Sequence, residues 1–93
     1  MEFEWDHSKA LANLEKHGIS FEEASDVFSD WMSSTVVDPE HSTGESRLLI
    51  FGRTKSGKSV VVSFTERGDI LRIISARRMS RRETNAYELG PYE

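Results

Sequence analysis

The sequence contains no cysteine. A disulfide framework and a cysteine-based zinc site are therefore both excluded. No apolar stretch approaches the roughly 20 residues that a membrane-spanning helix needs. The amino terminus, Met-Glu-Phe-Glu-Trp-Asp, lacks the basic and apolar regions of a signal peptide. We therefore expect a soluble, cytoplasmic protein without a membrane partner.

Positive charge is scarce outside one segment. Residues 47–82 hold ten Lys and Arg against two acidic residues, whereas the rest of the chain holds two Lys against fourteen acidic residues. The net charge of −4 hides this polarisation. A basic segment on an acidic background can steer a polyanion to one side of a molecule. The alternative is that these charges cover ordinary solvated faces of strands and helices.

The periodicity of the first 30 residues predicts two short amphipathic helices. The first begins at an Asp6 cap, runs to His17 and stops at Gly18, and the second begins with a capping box of Ser20 and Glu23. On the first helix one side is apolar and is expected to face the core, whereas a polar stripe lies on another side. The apolar side consists of Ala10, Leu11 and Leu14, and the stripe of Lys9, Asn13 and Lys16.

The remaining pattern predicts an antiparallel sheet followed by a helix. The expected strands span residues 2–5, 33–37, 47–54, 59–66 and 69–76, with a turn-rich stretch at 38–44. Because the last three strands are joined by very short connections, we expect them to form a meander. A second capping box, Ser80 with Glu83, opens a final helix that runs to about Leu89 and stops at Gly90-Pro91. The prediction is one α+β domain over residues 1–93, with two N-terminal helices packed on a mainly antiparallel sheet of four to five strands.

Residues 52–59, Gly-Arg-Thr-Lys-Ser-Gly-Lys-Ser, match the nucleotide-binding P-loop pattern. That motif works only where a helix follows the loop and directs its N–H groups at the phosphates. Here the loop is followed by Val60-Val61-Val62, a β-branched run typical of a strand. We therefore interpret the segment as a hairpin turn.

Four arginines lie within six residues at the junction of the last strand and the last helix. They are Arg77, Arg78, Arg81 and Arg82. A helix N-terminus disfavours cations, and a bound anion would remove the conflict, so we predict a phosphate site there. Since neighbouring side chains of a strand diverge, one of Arg77 and Arg78 reaches that site and the other contacts the helix or solvent. Arg72 interrupts an apolar strand face. It either holds a phosphate, pairs with an acid such as Glu83, or extends to the sheet edge with its stem packed.

His17 lies beside the basic stripe of the first helix, and an unperturbed histidine exchanges protons near neutral pH. Its alternative role is that of a cation at a helix C-terminus. Among the acids, Glu83 and Glu66 are candidates to position an arginine. No set of His, Asp and Glu has the spacing of a metal site, so neither a metal nor another cofactor is expected.

Several runs resemble the BrnT family of type II toxins. The runs are Phe3-Glu4-Trp5-Asp6, residues 16–24, Thr65-Glu66-Arg67-Gly68-Asp69 and residues 72–78. The resemblance implies a RelE-like α+β fold and a ribonuclease that arrests growth by cutting RNA. It also implies neutralisation by a BrnA-like antitoxin whose ribbon-helix-helix part binds operator DNA, so that this chain meets DNA only within that complex.

These observations together suggest metal-independent RNA cleavage by attack of the ribose 2′-OH. Arg72, Arg77 and Arg78 are expected to stabilise the phosphate, and Lys16 and His17 to transfer protons or orient the RNA. The supporting residues are Glu66, Glu83 and Ser75, and the substrate-binding residues are Lys9, Asn13, Arg81 and Arg82. Two alternatives are a non-catalytic module that binds RNA or DNA and a protein that only docks a partner.

Overall fold

The computed structural model describes residues 1–40 and 46–89. The helices are α1 (His7–His17), α2 (Phe21–Ala24), a 3₁₀ helix (Ser25–Ser29) that continues α2, and α3 (Arg81–Leu89). The strands are β1 (Glu2–Glu4), β2 (Ser34–Val37), β3 (Leu48–Arg53), β4 (Ser59–Arg67) and β5 (Ile70–Arg78). None of these helices is long and apolar enough to cross a bilayer. The predicted stop at Gly90-Pro91 and the predicted turn beyond Glu40 lie outside the described residues.

The strands form one five-stranded sheet in the order β1-β5-β4-β3-β2. β1 runs parallel to β5, and every other neighbouring pair is antiparallel. The predicted α+β class and the meander of β3, β4 and β5 are confirmed. β4 occupies the centre, as expected for a strand that is apolar on both faces.

One face of the sheet, here called the helix-bearing face, packs against α1, α2 and the 3₁₀ helix. The apolar core lies between these layers and is built from Ile19, Phe21, Ala24, Val27, Ile50, Val60, Val62, Phe64, Ile73 and Ala76. Phe21, Ala24 and Val27, which α2 and the 3₁₀ helix contribute to this core, are fully buried. Alternation along the strands sends the intervening side chains to the opposite face, here called the open face.

The orientation predicted for α1 is wrong for its two leucines, although Ala10 packs against the core as expected. Leu11 and Leu14 are 57% and 46% exposed, whereas Asn13 of the supposed polar stripe is buried. The Asn13 amide donates to Ile19 O at 3.0 Å and to Ala76 O at 2.9 Å, and its oxygen accepts from Ala76 N at 3.0 Å. Since these bonds pair the amide with the end of β5, they place Asn13 against the sheet, whereas Lys9 and Lys16 of the same stripe stay exposed.

The segment that matches the P-loop pattern is a hairpin turn between β3 and β4, as predicted. Thr54 N donates to Lys58 O, and Gly57 N donates to Thr54 O, each at 2.9 Å. Gly57 has φ 92°, a conformation that favours glycine. Lys58 Nζ lies 2.9 Å from Glu23 Oε1, so its charge is paired with α2.

α3 lies against the open face and has no buried residue. The predicted capping box is confirmed at its start, where Ser80 N donates to Glu83 Oε1 at 2.8 Å and Glu83 N donates to Ser80 Oγ at 3.1 Å. Near its end, Tyr87 donates its hydroxyl proton to Asp30 Oδ2 at 2.5 Å. The same Asp30 oxygen accepts from Arg53 N at 2.8 Å, so one carboxylate joins the 3₁₀ helix, β3 and α3.

Gly52 makes this junction possible. A Cβ atom at this position would lie 3.0 Å from Val27 Cβ and 3.2 Å from Asp30 Oδ2. Because a side chain would collide there, a glycine is needed for β3 to approach the 3₁₀ helix.

Candidate functional site

A concave site of about 210 Å³ opens on the open face and is here called the open-face cleft. It is lined by Asp38, Glu40, Arg47, Leu49, Ser63, Ser75 and Arg77. The floor comes from three adjacent strands, since Leu49 pairs with Ser63 and Ser63 pairs with Ser75. The two small serine side chains keep the floor low, and longer charged side chains stand around it.

An irregularity in β5 decides which of its residues reach this face. Ser63 pairs with Ser75 but the next residue of β4, Phe64, pairs with Ile73, so Ile74 has no partner in β4. A bulge of this kind shifts the alternation of side chains along a strand. Ile73 and Ala76 consequently both lie in the core.

The same bulge places Arg72, Ser75 and Arg77 on the open face. The expectation that Arg72 interrupts an apolar face is therefore wrong, because that expectation assumed unbroken alternation. Arg72 pairs with Thr65 in β4 and forms an ion pair with Glu4 of β1, with Nη1 and Oε2 3.0 Å apart.

Arg77 is the arginine of the C-terminal cluster that lines the cleft. Its guanidinium binds Glu83 through two parallel hydrogen bonds, Nη1 to Oε1 at 2.8 Å and Nη2 to Oε2 at 2.9 Å. These bonds lower the pKa of Glu83 to about 2 and raise the pKa of Arg77. Because Glu83 is itself fixed by the capping box, it holds the guanidinium in one orientation at the cleft wall.

Arg47 supplies the second cation of the cleft, and sequence reasoning missed it. Its backbone oxygen accepts from Asp38 N at 2.9 Å, which brings the ends of β2 and β3 together. Its side chain forms no ion pair within the described residues. The signal was present in the alternation of β3, since positions 47 and 49 share a strand face.

Two acids stand on the same side of the cleft as Arg47. Glu40 N donates to Asp38 Oδ1 at 3.0 Å, a local turn that fixes Glu40 relative to the buried Asp38. The Glu40 side chain is exposed. The cleft thus combines two guanidinium groups, two hydroxyls and an accessible carboxylate. Neither acid was predicted as a site residue.

Of the four arginines in the C-terminal cluster, only Arg77 lines the open-face cleft, and the four side chains do not meet at the phosphate site predicted at the start of α3. Arg78 pairs with Val60 in β4, and its charge is among the causes that lower the pKa of Glu23 in α2, after hydrogen bonds from Ser56 and Lys58. Arg78 thus lies toward the helix-bearing face. Arg82 lines a separate groove beside α3, and Arg81 is exposed. A strand end and a helical turn direct successive side chains apart, which the linear spacing does not reveal.

Arg72 shares the face of the cleft but not its lining. Arg77 pairs with Val61 and Arg72 with Thr65, four positions apart along β4, which corresponds to about 13 Å. Glu66 lies at the far end of β4, where it pairs with Leu71, and is exposed. The structure therefore brings Ser75, Arg77 and Glu83 together and leaves Arg72 and Glu66 at the other end of the sheet.

The candidates on α1 lie on the other side of the sheet from the cleft. Lys9 and Lys16 are exposed and His17 is half-buried. Asn13 has both amide protons and one lone pair engaged with the backbone, so it has no free donor for a substrate. In the described residues no group of three or more His, Asp or Glu is arranged to hold a metal ion.

Comparison with known proteins assigns this chain to a family. The family model described as the ribonuclease toxin BrnT of type II toxin-antitoxin systems matches residues 5–83. No curated protein sequence gives a significant match. Among solved structures, the crystal structure of the Brucella abortus ribonuclease toxin BrnT is similar, with a TM-score of 0.64 and 27% sequence identity. That match covers 87% of this chain and 99% of the Brucella protein. Because the family model matches most of its length and the fold is shared with a solved BrnT structure, this chain belongs to the BrnT family of ribonuclease toxins of type II toxin-antitoxin systems.

Proposed function

We propose that the chain is an endoribonuclease toxin that cleaves RNA in the open-face cleft without a metal ion. The observation that carries the proposal is the meeting of Arg47, Arg77 and the exposed Glu40 in one concave site. Guanidinium groups suit phosphate because their donors are planar and their charge is permanent. An accessible carboxylate beside them adds a group that can accept a proton.

The proposed reaction uses the nucleophile that RNA carries. The ribose 2′-oxygen attacks the adjacent phosphorus while Glu40 accepts the 2′-OH proton, and the bond from phosphorus to the 5′-oxygen breaks. Solvent at the open side of the cleft protonates the leaving 5′-oxygen. The products are a 2′,3′-cyclic phosphate and a 5′-hydroxyl. Arg47 and Arg77 stabilise the additional negative charge on the phosphoryl oxygens in the transition state.

Glu83 acts in this proposal as a positioning residue. It holds both terminal nitrogens of Arg77, so the guanidinium is oriented before substrate arrives. The Ser63 and Ser75 hydroxyls on the cleft floor offer hydrogen bonds to the ribose or the phosphate. Arg72 would contact a phosphate farther along the same strand of RNA, because it shares the open face with Arg77 at a distance of about 13 Å along the strand.

The remaining basic residues have a secondary role in the proposal. Arg78, Arg81, Arg82, Lys9, Lys16 and His17 lie outside the cleft, and they would add salt-dependent affinity for RNA that extends past the sheet. Neutralisation by a BrnA-like antitoxin, binding of operator DNA only within that complex, and action in the cytoplasm follow from membership of the family and are part of the same proposal.

Cleavage of a purified RNA in the presence of EDTA tests the proposal. We expect fragments with 5′-hydroxyl ends, and we expect Arg77→Ala and Arg47→Ala each to lower the rate about 10²–10³-fold, as loss of one transition-state donor does. Glu40→Gln should reduce the rate with little change in RNA affinity. Arg67→Ala, which removes an exposed cation at the other end of β4, is the matched control and should cleave normally.

Three results would contradict the proposal. One is full activity of the Arg77→Ala and Arg47→Ala proteins in a folded state. Another is cleavage that EDTA abolishes and a divalent cation restores. The third is RNA that is retarded in a gel but keeps its length, which would instead identify a non-catalytic binding module.

A further inference from the structure

A second concavity, of about 300 Å³, lies between α3 and the edge of the sheet and is here called the α3 groove. Its walls are mostly apolar and are built from Met32, Ser34, Val36, Phe51, Arg82, Glu83, Ala86 and Tyr87. The volume is at the lower end of the range of ligand sites in proteins. The groove therefore has room for a few side chains.

α3 forms one wall of this groove and is attached mainly by polar contacts. Arg77 binds Glu83, Tyr87 binds Asp30, and Arg53 forms an ion pair with Glu88. No residue of α3 is buried. A helix that buries no residue gains little from apolar burial, so a ligand in the groove can displace it at small cost.

β2, the strand next to the groove, is an unprotected edge. Within the described residues it pairs only with β3, and all four residues of its Ser-Thr-Val-Val sequence are exposed. Edge strands of soluble proteins usually carry a charge, a proline or a bulge that prevents further pairing. β2 has no charged residue and no proline, and its register with β3 is unbroken.

The outward backbone groups of this edge can be assigned. Asp38 N donates to Arg47 O, so positions 38, 36 and 34 exchange hydrogen bonds with β3. The N–H and C=O groups of Thr35 and Val37 then point away from the sheet. They offer a ladder for one added strand.

Exposed apolar side chains continue this surface on both sides. Val36 and Val37 are 46% and 60% exposed, and Trp31, just before β2, is 89% exposed. Contiguous apolar surface of this kind is typical of a docking site. The groove, the strand edge and Trp31 thus form one surface.

Charge selects the kind of occupant. Arg81 and Arg82, at the start of α3, form no ion pair within the described residues, and Arg82 lines the groove. A second copy of this chain, paired edge to edge, would bring its own arginines to the same surface. A segment that carries acidic residues beside its apolar ones is complementary to it.

We propose that the β2 edge and the α3 groove bind an extended segment of the antitoxin, a segment that adds a strand to β2 and inserts apolar side chains beside Phe51. This proposal rests on the proposed function, because it takes the partner to be the protein that neutralises the toxin. The segment places acidic residues against Arg81 and Arg82.

The position of Glu83 explains how binding there can control the cleft. Its side chain lines the α3 groove, and its carboxylate holds Arg77, which lines the open-face cleft. A segment that displaces α3 therefore changes the orientation of the cleft arginine. Inhibition does not require the antitoxin to fill the cleft.

Binding is to be measured with the product of the neighbouring antitoxin gene and with the full chain carrying Arg47→Ala, which leaves the contacts of α3 intact and keeps the result independent of RNA cleavage. Val36→Lys should weaken the complex about 10–100-fold, as loss of an interface anchor does. Val37→Pro should do the same, because it removes an outward N–H and leaves the bonds to β3 intact. Leu14→Lys is the matched control, since Leu14 is also 46% exposed but lies on α1.

Amide exchange followed by NMR gives a second measurement. The N–H groups of Thr35 and Val37 should exchange fast in the free chain and slowly in the complex. Fast exchange in the complex would overturn strand addition, and so would affinities of Val36→Lys and Val37→Pro that stay within about twofold of the parent. Loss of affinity in Leu14→Lys alone would place the interface on α1 and contradict the proposal.

The outcomes separate this inference from the proposed function. RNA cleavage by the unmodified chain without antitoxin tests the function alone. A chain that cleaves RNA but binds its antitoxin unchanged after the β2 substitutions would refute only the docking surface. A dimer of this chain that Val37→Pro dissociates, with antitoxin affinity unchanged, would do the same.

Discussion

On its helix-bearing face the sheet buries Ile50, Val60 and Val62 under α1 and α2, whereas on its open face the same strands carry Arg47, Ser63 and Arg77 around a cleft. The first face is apolar and buried. The second is polar, and the helix above it is attached by hydrogen bonds and ion pairs. Because side chains alternate along a strand, one short sequence can build both faces.

The two faces therefore contribute to different properties, the helix-bearing face to stability and the open face to activity. Burial of the helix-bearing face supplies most of the favourable free energy of folding, which offsets the repulsion between cations on the open face. Substitutions on the first face should therefore lower stability, and substitutions on the second should lower activity or partner binding. Each of the following experiments tests whether the two faces contribute separately to stability and to activity.

Phe21→Ala should have the largest effect on stability. Phe21 is fully buried between α2 and the sheet, so truncation leaves a cavity, and we expect a loss of about 3–5 kcal/mol. Phe51→Ala is the counterpart on the open face, where the ring is half-buried, and should cost about 1–2 kcal/mol. Urea unfolding of both variants checks this order, and equal losses would contradict the division.

Asn13→Ala should cause the next largest loss of stability, about 2–4 kcal/mol, since the buried N–H and C=O groups of Ala76 lose their partners. Leu14→Ala, one residue along α1, should stay within about 0.5 kcal/mol because the side chain is largely exposed. Thermal unfolding measures both. A stable Asn13→Ala protein with weakened RNA binding would restore Asn13 as a substrate-binding residue.

Tyr87→Phe should destabilise the chain by about 1 kcal/mol at neutral pH, because Asp30 loses a hydroxyl donor. Burial and the hydrogen bond to Asp30 raise the pKa of Tyr87 to about 12. The unfolded chain ionises this phenol near 10, so the contribution is complete below pH 10 and is lost as the pH rises toward 12. Ultraviolet titration should show one tyrosine ionising late, and the late phase should be absent in Tyr87→Phe.

Glu83→Gln should lower stability by only about 0.5–1 kcal/mol, because the ion pair with Arg77 is partly exposed to solvent. The hydrogen bonds from Arg77 lower the pKa of Glu83 from 4.5 to about 2. The pair therefore stabilises the fold fully above pH 4.5, and this contribution is lost as the pH falls toward 2. The unfolding midpoint of the parent should drop over that interval more than that of Glu83→Gln. Equal pH dependence of the two proteins would show that the pair does not fasten α3.

Much of the fold could be predicted from local signals. The capping residues Asp6, Ser20 and Ser80 set where the helices begin. The short hairpin turns make β3, β4 and β5 antiparallel neighbours. The rejection of the P-loop pattern also rested on local chemistry, since a β-branched run does not continue as a helix. These features depend on residues close together in the chain.

The site was harder to predict because it depends on contacts across the chain. Alternation read along β5 placed Arg72 and Ser75 on opposite faces, but the bulge at Ile74 puts both on the open face with Arg77. Arg47 was overlooked because 30 residues separate it from Arg77, and only the pairing of β3 with β4 and of β4 with β5 brings the two side chains into one cleft.

The helices, the meander and the concentration of positive charge in the C-terminal half each follow from residues within a few positions of one another, so they could be predicted from the sequence. Only the tertiary structure decided which face of α1 is buried, which arginine of the C-terminal cluster enters the cleft, and that Glu83 holds it. One buried amide, that of Asn13, sets which side of α1 contacts the sheet. One residue of β5 without a partner in β4, Ile74, sets which side chains of that strand share a face. In both cases the stabilising contacts join residues that are distant in the chain or lie on different strands, so they cannot be predicted from neighbouring residues.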